Sequence, residues 1–417
     1  MQIKYFLYLA GTFGIHSRIL IKMPKRGDGM PEAPLIIGLT GSFGSGCSHI
    51  SEKYLEPNGF KRVSLSQSLK ELYHNDHKQD ADTREKLQDY GNNLRRKHGS
   101  DYLARKAVSI IGEQGHDKWV IDSLKNPNEV KLLRNTFSKF FLIGVFAEYS
   151  VRWTRVRGKY KDNEGEFKRD DIRDGSEDQE FGQRVRDCFV ISDIIIANNI
   201  DYTDQNDDQM EMEGKIENYL SLINNPSIRP PTEDEAIMAM AYANSQRSSC
   251  LKRKVGAVIV DENGSLFSSG YNDVPFGERP CRNAHGKCYR SILKEDLSQK
   301  INEAVDDPDG TIKNKILKGN KMLDHCRALH AEENAILNIA KFGSASILSG
   351  ATLYTTTYPC NLCANKIAQV KIAKVVYFEP YPMEEAKKLL TAKKIEQKPF
   401  EGVSFKGYFK LFGGESS

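Results

Sequence analysis

The chain alternates short, continuous apolar runs with longer stretches in which apolar residues recur at helical spacing, a pattern that predicts an α/β protein. In the first half the apolar runs are Leu35–Leu39, Lys118–Asp122, Phe140–Phe146 and Asp193–Ala197, each expected to be a core strand. A polar, acidic segment over 201–213 then leads into a closing helix. Asn224-Asn225-Pro226-Ser227 with Pro230-Pro231 reads as a linker, and Thr232-x-x-Glu235 as a capping box that opens a new helix. Beyond it, residues 255–261 and 266–271 flank Glu262-Asn263-Gly264 as a hairpin. Apolar Ile336, Ile339 and Phe342 define an amphipathic helix over 330–342 with Gly343 as its stop, and strands are expected at 351–356 and 374–378. Helix, hairpin, then strands alternating with helices predicts a three-layer α/β/α sandwich. The expected organisation is therefore an extension over 1–33, one α/β domain over 34–225 and a second over 229–417.

Composition narrows the picture. At 417 residues two cores are expected, and 28% charged residues with a net charge of +4 describe a soluble globular protein without the basic excess of a nucleic-acid binder. Eight cysteines without a dense framework fit a reducing cytoplasm. No stretch reaches the roughly 18 apolar residues that span a bilayer. The apolar run Tyr5–Ile15 after Lys4 is short and lacks a cleavage site, so residues 1–33 are expected to be disordered, or translation to begin at Met23 or Met30.

The chemistry concentrates in two runs, His330-Ala331-Glu332 and Pro359-Cys360-Asn361-Leu362-Cys363. One imidazole and two thiolates hold Zn²⁺ tetrahedrally with the fourth position open, and bound Zn²⁺ brings the pKa of water to about 7. Glu332 is then the spare carboxylate, a base toward the activated water and an acid toward the ring nitrogen and departing amine. H-x-E followed by P-C-x-x-C is the signature of zinc nucleotide deaminases. Residues two apart on a helix are about 200° apart, so His330 and Glu332 share a ligand only at the helix mouth. Cys360 and Cys363, at i and i+3 after Pro359, lie on one face of a second helix start, which favours thiolates.

A second motif follows the first strand. Gly41-Ser42-Phe43-Gly44-Ser45-Gly46-Cys47-Ser48 has the layout of a phosphate-binding P-loop, with glycines that let N–H groups turn toward a phosphate. The lysine of G-x-x-x-x-G-K-[ST] is replaced by Cys47, while Ser48 keeps the hydroxyl that would meet Mg²⁺ and Asp122 stands at a Walker B position. A neutral thiol does not offset phosphate charge, and such charge compensation is most of what a kinase supplies. A nucleotide-binding or structural module is expected here, not an active kinase. Roughly residues 34 to 223 resemble the nucleoside monophosphate kinase and dephospho-coenzyme A kinase group. In that group, arginines placed like Arg152, Arg155 and Arg157, with Lys159 and Lys161, form a lid over the phosphates; the alternative is a solvated helical face.

Residues 229 to 417 resemble deoxycytidylate deaminases, through Val255-Gly256-Ala257-Val258-Ile259-Val260, Gly270-Tyr271-Asn272 and the two zinc runs. The resemblance implies a cytidine/deoxycytidylate deaminase fold, catalytic Zn²⁺ and free deoxycytidine nucleotides as substrates. It gives Asn272 a deoxyribose or phosphate contact and Tyr358 a place against the base; a turn residue is the alternative for Asn272. Asp273 stands where ordinary members have glycine. The fusion of a P-loop kinase-like half lacking its lysine to such a deaminase resembles bacterial anti-phage deoxycytidylate deaminases. That implies dCTP and dCMP deamination, a nucleotide effector at the P-loop, a small inhibitory RNA as partner and a homo-oligomer. A long insertion over 273–325 carries Cys281, His285 and Cys288 and ends at His325-Cys326, a set read either as a second, structural zinc site or as unrelated side chains. Lys252-Arg253-Lys254 motivates the competing reading of a polynucleotide editor, and a non-catalytic sensor or scaffold is the third.

Overall fold

A computed structural model of the protein describes residues 33–413 except 176, 178, 201–206, 306, 308–309, 320–324, 342–344 and 381–382. The extension over 1–32 with Met23 and Met30, and the helix stop at Phe342-Gly343, lie outside those residues.

The first half is built on β1 (Leu35–Thr40), β2 (Lys61–Ser64), β3 (Lys118–Asp122), β4 (Phe140–Phe146) and β5 (Ile194–Ala197), parallel and in the spatial order β2-β3-β1-β4-β5. β1, β3 and β4 are continuous apolar runs because helices cover both faces of the sheet. Only Val63 of β2 is buried, which is why no apolar run announces that outer strand. Since all five strands run the same way, Thr40, Asp122, Phe146 and Ala197 end on one edge, where parallel sheets bind ligands. This is the P-loop kinase-like arrangement.

The second half adds β6 (Gly256–Val260), β7 (Leu266–Tyr271), β8 (Thr352–Thr357), β9 (Lys374–Glu379) and β10 (Glu396–Pro399), ordered β10-β9-β8-β6-β7. The predicted hairpin is β6 and β7, antiparallel with Gly256 opposite Tyr271. Successive strand residues point to opposite faces. Ala257, Ile259, Leu353 and Val375 meet the helices Ala331–Ala340, Asn361–Gln369 and Glu384–Ala392 on one side. Val258, Val260, Tyr354 and Val376 meet the helix Glu233–Ser245 on the other, completing the three-layer sandwich. The 273–325 insertion carries the helices Cys281–His285, Tyr289–Ala304 and Thr311–Gly319.

The two halves are interlocked. The segment β11 (Gly402–Val403) leaves the second sheet and pairs antiparallel with β5, Gly402 opposite Ile195 and Val403 opposite Ile194. Val403 and Leu411, the latter from the helix Phe405–Phe412, are buried in the core of the first half, each worth about 1.5–3 kcal/mol of apolar burial. Conversely, Phe189 and Ile195 pack with Val258 and Phe378 of the second half. The predicted capping box holds this joint: Glu235, 1% exposed, accepts from Thr232 N at 2.7 Å, Arg229 at 2.8 Å and Val403 N at 2.8 Å.

Candidate active site

The zinc-type ligands stand at two helix mouths set against one sheet. His330 is the N-cap of the helix Ala331–Ala340, and Cys360 the N-cap of Asn361–Gln369, with Cys363 in its first turn. Gly270 of β7 lets the histidine-bearing helix lie close: a Cβ there would sit 2.3 Å from Ala331 O and 2.4 Å from Ala335 N. Three side chains lash that helix to β7. Ser268 Oγ donates to Ala335 O (2.8 Å), Asn334 to Tyr271 O (2.8 Å) and Asn338 to Ser269 O (2.9 Å). Between the helices, Lys366 pairs with Glu333 at 2.9 Å, and Glu333 also accepts from the His330 N–H at 3.3 Å. These positioning groups escaped the motif, although polar residues at helical spacing on a face that must pack against a strand are their signal in the sequence.

The ligand atoms of His330, Cys360 and Cys363 lie within 4.8 Å of one another. Both sulfurs are 3.3 Å from His330 Nδ1, close to the separation of about 3.5 Å that tetrahedral Zn–S and Zn–N bonds impose. The charge state fits as well. The Cys363 thiol, with His330, brings the Cys360 thiol down to about 4 against the opposing effect of burial, so Cys360 carries the thiolate. Two cysteine sulfurs, which bind metal as thiolates, and an imidazole form a donor set that suits Zn²⁺.

Glu332 points at the same centre. It is 4% exposed, and Cys363 Sγ lies 3.5 Å from its Oε2. Burial holds its carboxyl above the ordinary range, the direction expected of a group that gives and takes a proton near neutral pH. The helix mouth thus brings His330 and Glu332 together although they lie about 200° apart around the axis.

The two residues assigned to substrate make the following contacts within the fold. Asn272 Oδ1 accepts from Val255 N at 2.7 Å, and its amide donates to Arg253 O at 2.9 Å, so the side chain shapes the approach to β6. Tyr358 packs edge-on against Tyr377 with ring centroids 4.8 Å apart, and its hydroxyl donates to Gln397 of β10.

Cys281, His285, Cys288 and His325 do not bring three or more ligand atoms within 4.8 Å of one another. Among the described residues, His330, Cys360 and Cys363 form the one group of three or more His, Cys, Asp or Glu placed to share a metal. His285 packs against Tyr289 at 5.1 Å and lies 3.3 Å from Arg327 Nη1. Burial raises the Cys326 thiol, and Cys250 and Cys288 add to that effect. Cys250 drew no attention in the sequence because it belongs to neither cysteine run.

The P-loop turns as its glycines require. Gly44 (φ 84°) and Gly46 (φ 101°) occupy the left-handed region, and Gly41 has no room for a Cβ, which would meet Val145 O at 2.5 Å. Burial pushes the Cys47 thiol up to about 12, so this position is neutral. Asp122 is fully buried, with Oδ2 accepting from Arg62 Nε (2.8 Å) and Nη2 (2.6 Å) and Oδ1 without a hydrogen-bond partner. Arg152 and Arg155 are not a solvated face. Arg152 pairs with Asp171 and donates to Phe43 O at 3.2 Å, while Arg155 donates to Gly44 O at 3.2 Å and Ile200 O at 2.6 Å.

No helix among the described residues is long and apolar enough to cross a membrane. The cytidine and deoxycytidylate deaminase zinc-binding region matches residues 231–379. A deoxycytidylate deaminase of Schizosaccharomyces pombe is 35% identical over 160 residues, which cover 38% of this chain and 41% of that one. The deoxycytidylate deaminase of Enterobacteria phage T2 is 37% identical over 156 residues, 35% of this chain and 79% of the phage protein. That of Mycobacterium phage D29 is 35% identical over 147 residues, 35% of this chain and 94% of its own. The chain thus spans about two-fifths of the length of the yeast relative and most of each phage protein. With the ligand set, the buried glutamate and these similarities together, the chain belongs to the deoxycytidylate deaminase family.

Proposed function

We propose that the protein hydrolytically deaminates free deoxycytidine nucleotides, dCMP and dCTP, to the deoxyuridine nucleotides and ammonia. The observation that carries this is the buried Glu332 carboxyl beside the His330, Cys360 and Cys363 donors. Bound there, Zn²⁺ supplies the Lewis acidity that makes water nucleophilic near neutral pH. Glu332 accepts the proton released as water adds to C4 and delivers protons to N3 and the departing amine, and its burial suits it to both tasks.

The P-loop half acts as a regulatory module over residues 34–225, with the deaminase over 229–417. Contacts within and between the halves support this control. Asn198 Nδ2 donates to Ser45 O of the P-loop at 2.7 Å, Ala197 N donates to Glu401 at 3.3 Å, and Gln397 of the neighbouring β10 accepts from Tyr358, two residues before Cys360. Depletion of deoxycytidine nucleotides during phage infection is the role that this two-part layout suggests, with a small inhibitory RNA holding the enzyme silent beforehand and a homo-oligomer as the working form. Against the competing editor reading, Arg253 pairs with Glu379 and Lys254 donates to Gln246 O at 3.0 Å within the fold.

The test is release of ammonia by the purified protein from dCMP, dCTP, cytidine nucleotides and a cytosine-containing single strand. Activity on the deoxynucleotides alone, abolished by Glu332→Ala, supports the proposal. Activity confined to the strand makes the protein an editor, and defence that survives Glu332→Ala makes it a scaffold.

A further inference from the structure

The P-loop opens into a cavity of about 810 Å³, within the 300–1,000 Å³ typical of small-molecule pockets. Its described lining carries the cations Lys70, Arg84, Arg95, Lys125, Arg155 and Lys159 and no aspartate or glutamate. Leu65, Leu69, Leu87 and Leu103 add an apolar wall. A cavity with this lining selects an anion that also carries an apolar group.

Within it, Lys125 is built into place. Ser123, at φ 66°, turns the chain directly after β3, a conformation that costs a non-glycine residue energy and persists where the surroundings impose it. The Lys125 N–H then donates to Glu129 at 2.9 Å, and Lys125 O accepts from Arg184 N at 2.8 Å. Lys125 Nζ lies 2.7 and 2.8 Å from the two oxygens of Asp174, which also pairs with Arg84 at 2.8 Å. Asp174 is fully buried and stands behind the cavity wall. Two cations on one carboxylate leave a net positive charge at this wall of the cavity, and the Lys125 charge is close enough to act on the Cys47 thiol, against the larger opposing effect of Asp122.

The fold suggests Mg²⁺ as well, held by Ser48 and Asp122, but the residues do not fit it. Asp122 lies outside the described lining, with Oδ2 held by the Arg62 guanidinium and Oδ1 buried, and among the described residues no carboxylate lines the cavity. Without a metal the cavity lacks the charge compensation on which triphosphates depend in kinases.

We infer that this cavity is a metal-independent site for a nucleoside monophosphate, in which Lys125 from the end of β3 replaces the absent P-loop lysine. This deepens the regulatory reading of the P-loop half and depends on it only for the effect on deamination.

The probe is dGMP, a purine without the cytosine amine, titrated calorimetrically into the full-length zinc-loaded protein with and without added magnesium. Binding of equal strength in both buffers is expected, weakened about 10- to 100-fold in Lys125→Met, the loss that removal of a charge-assisted hydrogen bond brings. Lys125→Arg should keep most of the affinity, and Lys125→Met combined with Cys47→Lys should regain part of it. Since burial and Arg84 bring Lys125 down to about 8, binding near pH 8 should also draw a proton, read from buffers of different ionisation enthalpy. Undiminished binding by Lys125→Met, binding only with magnesium, or no binding of dGMP to the wild type would each overturn the inference. A parallel dCMP assay separates the two readings: if dGMP binds as expected but leaves the deamination rate unchanged, the site stands and its regulatory role falls.

Discussion

The two halves of this chain each keep a nucleotide-handling motif, and they keep it in opposite ways. In the second half the groups that do the chemistry are the motif's own side chains, and all four converge at two helix mouths. In the first half the cradle is backbone, set by Gly44 and Gly46, while the charge a phosphate needs is absent from the loop and present on Lys125, 78 residues after Cys47. A side-chain site is lost when one residue changes. A backbone site survives such a change, and its charge can come from another strand.

The comparison breaks most visibly at the metal. Chelation, or Cys360→Ser, should abolish deamination, because ligand loss removes the activated water altogether; zinc content and ammonia release measured together check this. Glu332→Gln comes next. Deamination should fall about 10²- to 10⁴-fold with zinc content and circular dichroism unchanged, separating proton transfer from metal binding.

On the other side, the full-length protein with ATP, Mg²⁺ and deoxynucleoside monophosphates should show no phosphoryl transfer above background, because Cys47 is neutral and Asp122 is paired with Arg62. Transfer that disappears in Ser48→Ala would end the contrast between an intact site and a rebuilt one.

Smaller effects sharpen the joint between the halves. Glu235→Ala leaves the partly exposed Arg229 and the N–H groups of Thr232 and Val403 unpaired, so denaturant unfolding should show a loss of about 2–4 kcal/mol. A companion measurement uses pH. Burial alone would raise the Glu235 carboxyl, but Arg229 and the N–H groups of Val403 and Thr232 outweigh it and hold it below the ordinary 4.5. A lowered carboxyl stabilises the fold above its ordinary pKa, and that contribution is lost as pH falls through the folded value. Glu235→Gln should therefore flatten the acid limb of the stability profile. Smallest of all, Gly44→Ala should cost about 1–2 kcal/mol through its positive φ and weaken dGMP binding without altering deamination.

Much of this was legible in the residues. The strands Lys118–Asp122 and Phe140–Phe146 follow from apolar runs that need two covered faces, and the Thr232 capping box from its two partners three residues apart. His330, Glu332, Cys360 and Cys363 were readable because their spacing and types suffice to define a ligand set. β2 was hidden because an outer strand needs only one buried residue, and the return of β11 to β5 was hidden because a two-residue pairing leaves no periodicity to read.

What the sequence determined by itself is therefore what short-range chemistry dictates: helix starts, core strands, the metal donors and the loss of the P-loop lysine. The tertiary structure decided what depends on distant residues meeting. It hydrogen-bonded Asn272 to the backbone before β6, gathered His330, Cys360 and Cys363 as the one metal-type cluster among the described residues, and carried the last strand and helix across into the first half. It also set Lys125 and Arg84 behind a loop that has no charge of its own. Electrostatic compensation acts through space, so no spacing along the chain foretells it.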